Sequence, residues 1–403
     1  MKNYFFNWSR DFTLLAIAVF CLGVFFGVQM TLFNNFVVER IGIEAHELGY
    51  IEAMREIPGL LNVVFIALMV RVVAPILGGF SLIILGVGII GYAWSSTVVA
   101  IALFSVIWSI GFHGWITLQH AMALKFSPGT DKGVWLGKLH SVNSFGWLIT
   151  IGICIFAFRH IGYEGLFIMG GIVTIIGGTA IFFASKDKPI VPEKGFVFKK
   201  RYRLYYILNV LDGCRRQIFM TFAIFALVKV HGMPIKTTMI LVLINKILVI
   251  LVAPLMGRLV DTRGERLMLS FTYFGLIFVF LGYAIIEYRP LLYVLFCIDN
   301  LLFFEGIALT TFINKITPAE ELKPTLSMGV TMNHVAAVTA PLIGGLVWYH
   351  FGYKIIFLSG AIIAMCSFLA SQWVDPEGML RAEAENDDVS LPDGVVAPSK
   401  IPG

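Results

Sequence analysis

Charge is what this 403-residue sequence has least of. Acidic and basic residues together make up 14% of it, against roughly 25% in a soluble globular domain. Cysteine is scarce as well: Cys21, Cys154, Cys214, Cys297 and Cys366 stand singly inside apolar runs. They have no metal-ligand spacing and form no disulfide framework, so they are expected to be packing residues. The sequence contains no Gly-x-x-x-x-Gly-Lys-Ser/Thr phosphate loop, no His-Glu-x-x-His pair, no Cys-x-x-Cys and no nucleophile elbow, so nothing points to ATP hydrolysis or to a catalytic centre. Its soluble loops are too short to house a catalytic domain. The expectation is a chain that is not an enzyme, with no cofactor, no metal and no nucleic-acid partner.

What is there is long apolar runs. Residues 12–38 and 163–184 approach or exceed the ~20 apolar residues that span a hydrocarbon core. Runs of this kind recur at 48–70, 76–95, 98–124, 133–157, 204–229, 236–257, 267–286, 290–315, 325–348 and 354–373. Twelve spans predict an all-α, multi-pass integral membrane protein embedded in the lipid bilayer. The first run is too long for a signal-peptide core and is expected to be retained.

Orientation follows from the basic residues. Lys186, Lys188, Lys194, Lys199, Lys200, Arg201 and Arg203 crowd the segment after the sixth span, and Arg258, Arg263 and Arg266 follow the eighth. The connection between the third and fourth spans has no Lys or Arg. Both termini and the central linker are therefore expected on the cytoplasmic side of a cytoplasmic (inner) membrane. The implied layout is a six-helix bundle over 1–184, a basic linker over 185–203, a second bundle over 204–374 and a disordered acidic tail over 375–403.

The chain also resembles itself. At a shift of 190 residues, HIGY at 160–163 falls on HFGY at 350–353, and Phe167, Gly170, Asn143, Thr31, Gly23 and Gly42 fall on Phe357, Gly360, Asn333, Thr221, Gly213 and Gly232. One offset holding over several helices predicts two parallel six-helix repeats with a pathway between them.

Residues 257–269 read GRLVDTRGERLML. Gly257, Leu259, Asp261, Gly264 and Arg266 resemble the cytoplasmic loop signature of the major facilitator superfamily, Gly-x-Leu-x-Asp-Arg-x-Gly-Arg-Arg, while Thr262 and Glu265 depart from it. In the first half VRVVAPILGG, at 70–79, keeps Arg71 but no acid. Over residues 10–375 the resemblance implies that superfamily's fold and a secondary transporter working by alternating access, with Gly257, Asp261, Arg263, Gly264 and Arg266 in a conformational loop. No subfamily is identified.

An ionisable group at mid-membrane costs at least ~2.5–3.5 kcal/mol and so is paired or faces water. NVLDGCRRQIFMTF, residues 209–222, places Asp212, Arg215 and Arg216 in one apolar run. Asp212 is i,i+3 from Arg215 and i,i+4 from Arg216, so one intrahelical pair forms readily. Lys246 is expected to neutralise Asp299 or Glu305, three acids balancing three bases. Adjacent arginines point ~100° apart on a helix, leaving one to look into a cavity as a fork for an anion. The expected solute ligands are Arg215, Arg216, Lys246, Asn245, Asn300, Asn333, Asn35, Gln29 and His113. The expected proton-coupling groups are Asp299, Glu305, Asp212, Glu56 and His334. Glu52, Arg55 and Glu56 share a helix face and read as a self-neutralised cluster, an outer gate or a proton acceptor.

The sequence thus predicts a small polar solute, anionic in character, carried by a monomer and coupled to H+. Efflux of hydrophobic or cationic compounds fits the same acids. A non-transporting receptor or scaffold using the acidic tail is the alternative of another class.

Overall fold

The computed structural model describes residues 8–68, 72–127, 132–186, 198–302 and 305–380; the side chains of residues 62–68, 257, 261 and 319 also lie outside the description. Arg71, Phe303, Phe304, most of the central linker and the tail beyond residue 380 fall outside it. Among the described residues all regular structure is helical. The helices are α1 (Arg10–Phe36), α2 (Ala45–Leu68), α3 (Ala74–Gly91), α4 (Val98–Phe126), α5 (Lys132–Ile181), α6 (Arg203–Lys229), α7 (Ile235–Arg263), α8 (Glu265–Ile285), α9 (Arg289–Leu301), α10 (Glu305–Ile316), α11 (Ala319–Phe351) and α12 (Tyr353–Ser371).

Nine helical stretches among the described residues are long and apolar enough to cross a membrane. Neither α2 nor α6 is among them: Glu52, Arg55 and Glu56 interrupt one, and Asp212, Arg215 and Arg216 the other. The runs expected separately at 133–157 and 163–184 are the two helical arms of α5, which part at Gly162, whose φ of 63° and ψ of −163° are not helical. Local sequence explains the starts. The Ser9 side chain accepts from the Phe12 N–H, and Thr97 from Ala100, each satisfying a donor that a helix N-terminus leaves orphaned.

Within the first part of the chain α1 packs along α5, α3 against α4 and α5, and α2 against α4; in the second, α6 packs on α11 and α12, and α8 on α12. The two sets meet where α2 lies along α11 and where α1 and α5 touch α7.

The 190-residue register is visible in the backbone. Gly162 and Gly352 have φ of 63° and 87°, and Gly42 and Gly232 have φ of 77° and 60°. These left-handed turns strain any residue with a Cβ, so the same turn in each half keeps the same glycine. The packing repeats too: a methyl on Gly23 would overlap the Asn143 carbonyl oxygen, and one on Gly213 would lie 3.2 Å from Nδ2 of Asn333. The first of these sits in the Gly23-x-x-x-Gly27 pattern, which lets α1 approach α5 closely.

At the end of the bundle remote from the linker the two sets are clasped. Asn35 is wholly buried and donates to the Met233 carbonyl at 3.0 Å while accepting from Thr238 at 2.7 Å. Lys229 donates to the Ile43 carbonyl at 3.0 Å and pairs with Glu44 at 2.8 Å. Gly49 of α2 and Gly345 of α11 let the helices touch: a methyl on Gly49 would overlap the Pro341 carbonyl, and one on Gly345 would lie 2.6 Å from that of Ala45.

Candidate solute pathway and buried charge cluster

The two adjacent arginines of the apolar run at 209–222 are parted by the rotation of α6. Arg215 turns inward until 1% of it is exposed. Its guanidinium reaches Asp212 Oδ1 at 2.9 Å, Glu305 Oε1 at 2.9 Å and Asp299 Oδ1 at 3.6 Å. Asp212 is one turn away on the same helix; Asp299 comes from α9 and Glu305 from the start of α10, so Arg215 ties three helices together. Arg216, about 100° around the helix, is half-buried and lies within electrostatic reach of Glu305. Three acids therefore gather around these two bases, with Tyr273 buried beside them.

Lys246 does not complete this cluster as expected. Its ammonium sits over the Trp147 ring of α5, 4.1 Å from the centroid, because α7 faces the first set of helices at this level. A desolvated cation on an indole face is a favourable contact of up to about 2 kcal/mol. Asn35 is also reassigned. Its amide is consumed by Met233, Thr238 and Glu39, which makes it part of the clasp and leaves no hydrogen-bonding capacity facing a solute. Asn300 donates to the Phe296 carbonyl in its own helix, and Asn333 lies beside Gly213 in the α6–α11 contact.

Other groups expected at the pathway do converge. Gln29 and Thr221 line one small cavity of about 40 Å³ with Asn34, Glu52 and Arg55, between α1, α2 and α6. Gln29 Oε1, Thr221 Oγ1, Asn245 Oδ1 and Trp147 Nε1 are all buried with no hydrogen-bond partner among the described residues. The ring of Phe26, one turn before Gln29, lies tilted against that of Trp147 with centroids 5.6 Å apart, which connects these groups along the α1–α5–α7 seam. Sequence reading missed Thr221 and Trp147 as polar lining; the 190-residue pairing of Thr31 with Thr221 was the available signal.

A second cluster crosses the seam. Arg55 pairs with Glu52 at 2.6 Å and with Glu56 Oε1 at 2.9 Å, and stacks 5.4 Å from Trp108. His113 of α4, expected as a solute ligand, has its ring 5.3 Å from that of His334 on α11. Glu56 Oε2 faces His334 Nδ1 at 3.5 Å.

In the loop segment Gly264 turns with φ of 78° and Arg263, Gly264 and Arg266 line a cavity of about 930 Å³ at the linker end. The side chain of Asp261 lies outside the described residues. Glu265, a departure from the signature, is 5% exposed and pairs with Lys315 of α10 at 2.7 Å.

Long apolar helices, two packed sets and polar groups left open along their seam define a polytopic membrane protein of transporter architecture. The Major Facilitator Superfamily model matches residues 15–323, and the chain belongs to that superfamily. No curated protein sequence matches it. Among solved structures it is similar to a mutant of the nucleoside transporter NupG, at a TM-score of 0.77 and 14% identity, with 90% of this chain and 99% of that one covered. It is also similar to a bacterial homologue of the human lysosomal transporter Spinster, crystallised inward-facing and unoccupied, at a TM-score of 0.71 and 12% identity over 91% and 97% of the two chains. At these identities the likeness is one of fold.

Proposed function

We propose that this secondary transporter crosses the membrane twelve times in two six-helix halves, 1–184 and 204–374. Nine stretches become twelve crossings when α5 is counted on both sides of Gly162 and the charge-bearing α2 and α6 are included. Both termini and the basic linker then lie in the cytoplasm, by the excess of Lys and Arg there. The clasp of Asn35, Lys229 and Glu44 closes the outer end, so the arrangement is one open toward the linker side.

The observation that carries the transport reading is the set of unpartnered polar atoms on Gln29, Trp147, Thr221 and Asn245 along the seam between the halves. An orphaned buried donor or acceptor costs about 1–3 kcal/mol, a cost that a polar solute or water entering the seam relieves. Lys246 gives that lining a positive charge, which supports a small anionic or otherwise electron-rich polar solute. Arg215 is withdrawn from this role by its three carboxylates. Those carboxylates, Asp212, Asp299 and Glu305, are instead the proton-coupling groups: an acid in excess over nearby bases, buried where charge is costly, is suited to exchange a proton between states.

Reconstituted vesicles test the reading. Uptake or efflux driven by an imposed pH gradient, competed by small organic anions but not by lipophilic cations, supports it; competition by the cations alone would favour efflux of cationic compounds. Flux unchanged by collapsing the pH gradient removes the proton.

A further inference from the structure

The transport reading leaves one cluster unused: Glu56 on α2, His113 on α4 and His334 on α11. Their ligand atoms all lie within 4.8 Å of one another. We propose that these three side chains form a binding site for a divalent transition-metal ion of the Zn2+ type, held between α2 and α4 on one side of the seam and α11 on the other.

The hydrogen bonding around the cluster leaves the right atoms free. His113 Nδ1 lies 3.0 Å from the Ser109 carbonyl one turn back, a bond that places its proton on Nδ1 and leaves Nε2 bare. A bond of this kind fixes the tautomer and the ring orientation of a ligating imidazole. His334 Nδ1 is buried and has no hydrogen-bond partner among the described residues; at 3.5 Å from Glu56 Oε2 it is at the edge of hydrogen-bonding distance. Glu56 splits its carboxylate: Oε1 goes to Arg55, and Oε2 is turned to the histidines. Arg55 is itself countered by Glu52 at 2.6 Å, so the three charges of this helix face sum to one negative charge beside the site. Two imidazoles and a carboxylate are borderline donors that suit Zn2+, Co2+ or Fe2+ over Mg2+ or Ca2+, which prefer all-oxygen shells.

Space is provided at Gly59. A methyl there would lie 2.5 Å from His113 Nε2 and 2.7 Å from His334 Cε1, so the position beside both rings is kept open by the absence of a side chain. A tetrahedral shell with bonds of about 2.0–2.1 Å sets ligand atoms about 3.4 Å apart. Glu56 and His334 already stand at that spacing, and His113 closes by roughly an ångström, a side-chain adjustment. Because the ligands come from both sides of the seam, a bound ion favours the arrangement in which α2 lies along α11.

The proposal stands apart from the choice of solute or coupling ion, and so does its test. The full-length protein is purified in detergent, stripped with a chelator and titrated with Co2+ followed by visible absorption, then with Zn2+ as competitor. One ion per chain is expected, displaced by Zn2+. H113Q and H334Q are each expected to weaken binding at least tenfold, while H120Q, at an exposed histidine on the same helix as His113, leaves it unchanged. In H334C a thiolate-to-cobalt charge-transfer band is expected, which arises only if that side chain coordinates and which does not depend on the fate of the glutamine variants. No Co2+ or Zn2+ uptake at millimolar concentration, uptake insensitive to H113Q and H334Q, or an H334C protein that binds Co2+ without the band, each overturns the proposal.

Discussion

Arg215 and Glu305, ninety positions apart in the chain, meet in an ion pair of 2.9 Å in which each side chain is 1% exposed. Such a pair holds α6 to α10 only while it is intact. Removing one partner of a buried pair strands the other, at about 3–5 kcal/mol.

Arg215→Met should therefore destabilise the protein by about that amount, since it strands Asp212, Asp299 and Glu305 together. Glu305→Gln should cost less, because Arg215 keeps Asp212 at 2.9 Å and Asp299 at 3.6 Å. Thermal unfolding in one detergent compares them; equal losses, or a larger loss for Glu305→Gln, contradict the shared-arginine arrangement.

Glu305→Gln and Asp299→Asn should separate coupling from translocation. Accumulation driven by a pH gradient should be lost, while exchange of labelled for unlabelled solute across vesicles at equal pH persists. Loss of both activities in a folded variant would make the cluster structural glue alone.

Lys246→Ala should weaken an anionic solute by roughly 10- to 100-fold, the value of a hydrogen bond to a charged group. Lys246→Arg should restore part of it. Unchanged competition curves for both variants would leave the seam without its cation.

Close approach of α2 and α11 should show in two glycines. Gly49→Ala places a methyl on the Pro341 carbonyl and should cost about 1–3 kcal/mol through overpacking. Gly137→Ala meets nothing within 4 Å and should be neutral or stabilising by up to about 1 kcal/mol. Melting temperatures measured side by side decide it.

Much of the helical pattern was legible because apolar length and basic loops are local properties. So was the register: Gly162 and Gly352, and Gly42 and Gly232, share a turn only glycine makes easily, and sequence shows them at one offset. The Asp212–Arg215 pair follows from helical spacing. What was not legible depends on which helix faces meet. Lys246 went to Trp147 and not to an acid, Asn35 was consumed by Met233 and Thr238, and His113 found His334, because each outcome is set by the rotation of one helix against another from the opposite half. The break inside α5 was legible too: Gly162 leaves the helical φ/ψ region at the boundary expected between the runs at 133–157 and 163–184.

The hasp at the end remote from the linker is built from few polar contacts. The bond Asn35 donates to Met233, the one it accepts from Thr238, and the contacts of the part-exposed Lys229 ammonium with Ile43 and Glu44 are worth about 0.5–1.5 kcal/mol apiece. In the alternating-access reading proposed above, opening this end must break these contacts and part Gly49 of α2 from Gly345 of α11, so a solute has to bind the reversed arrangement more tightly by at least that cost.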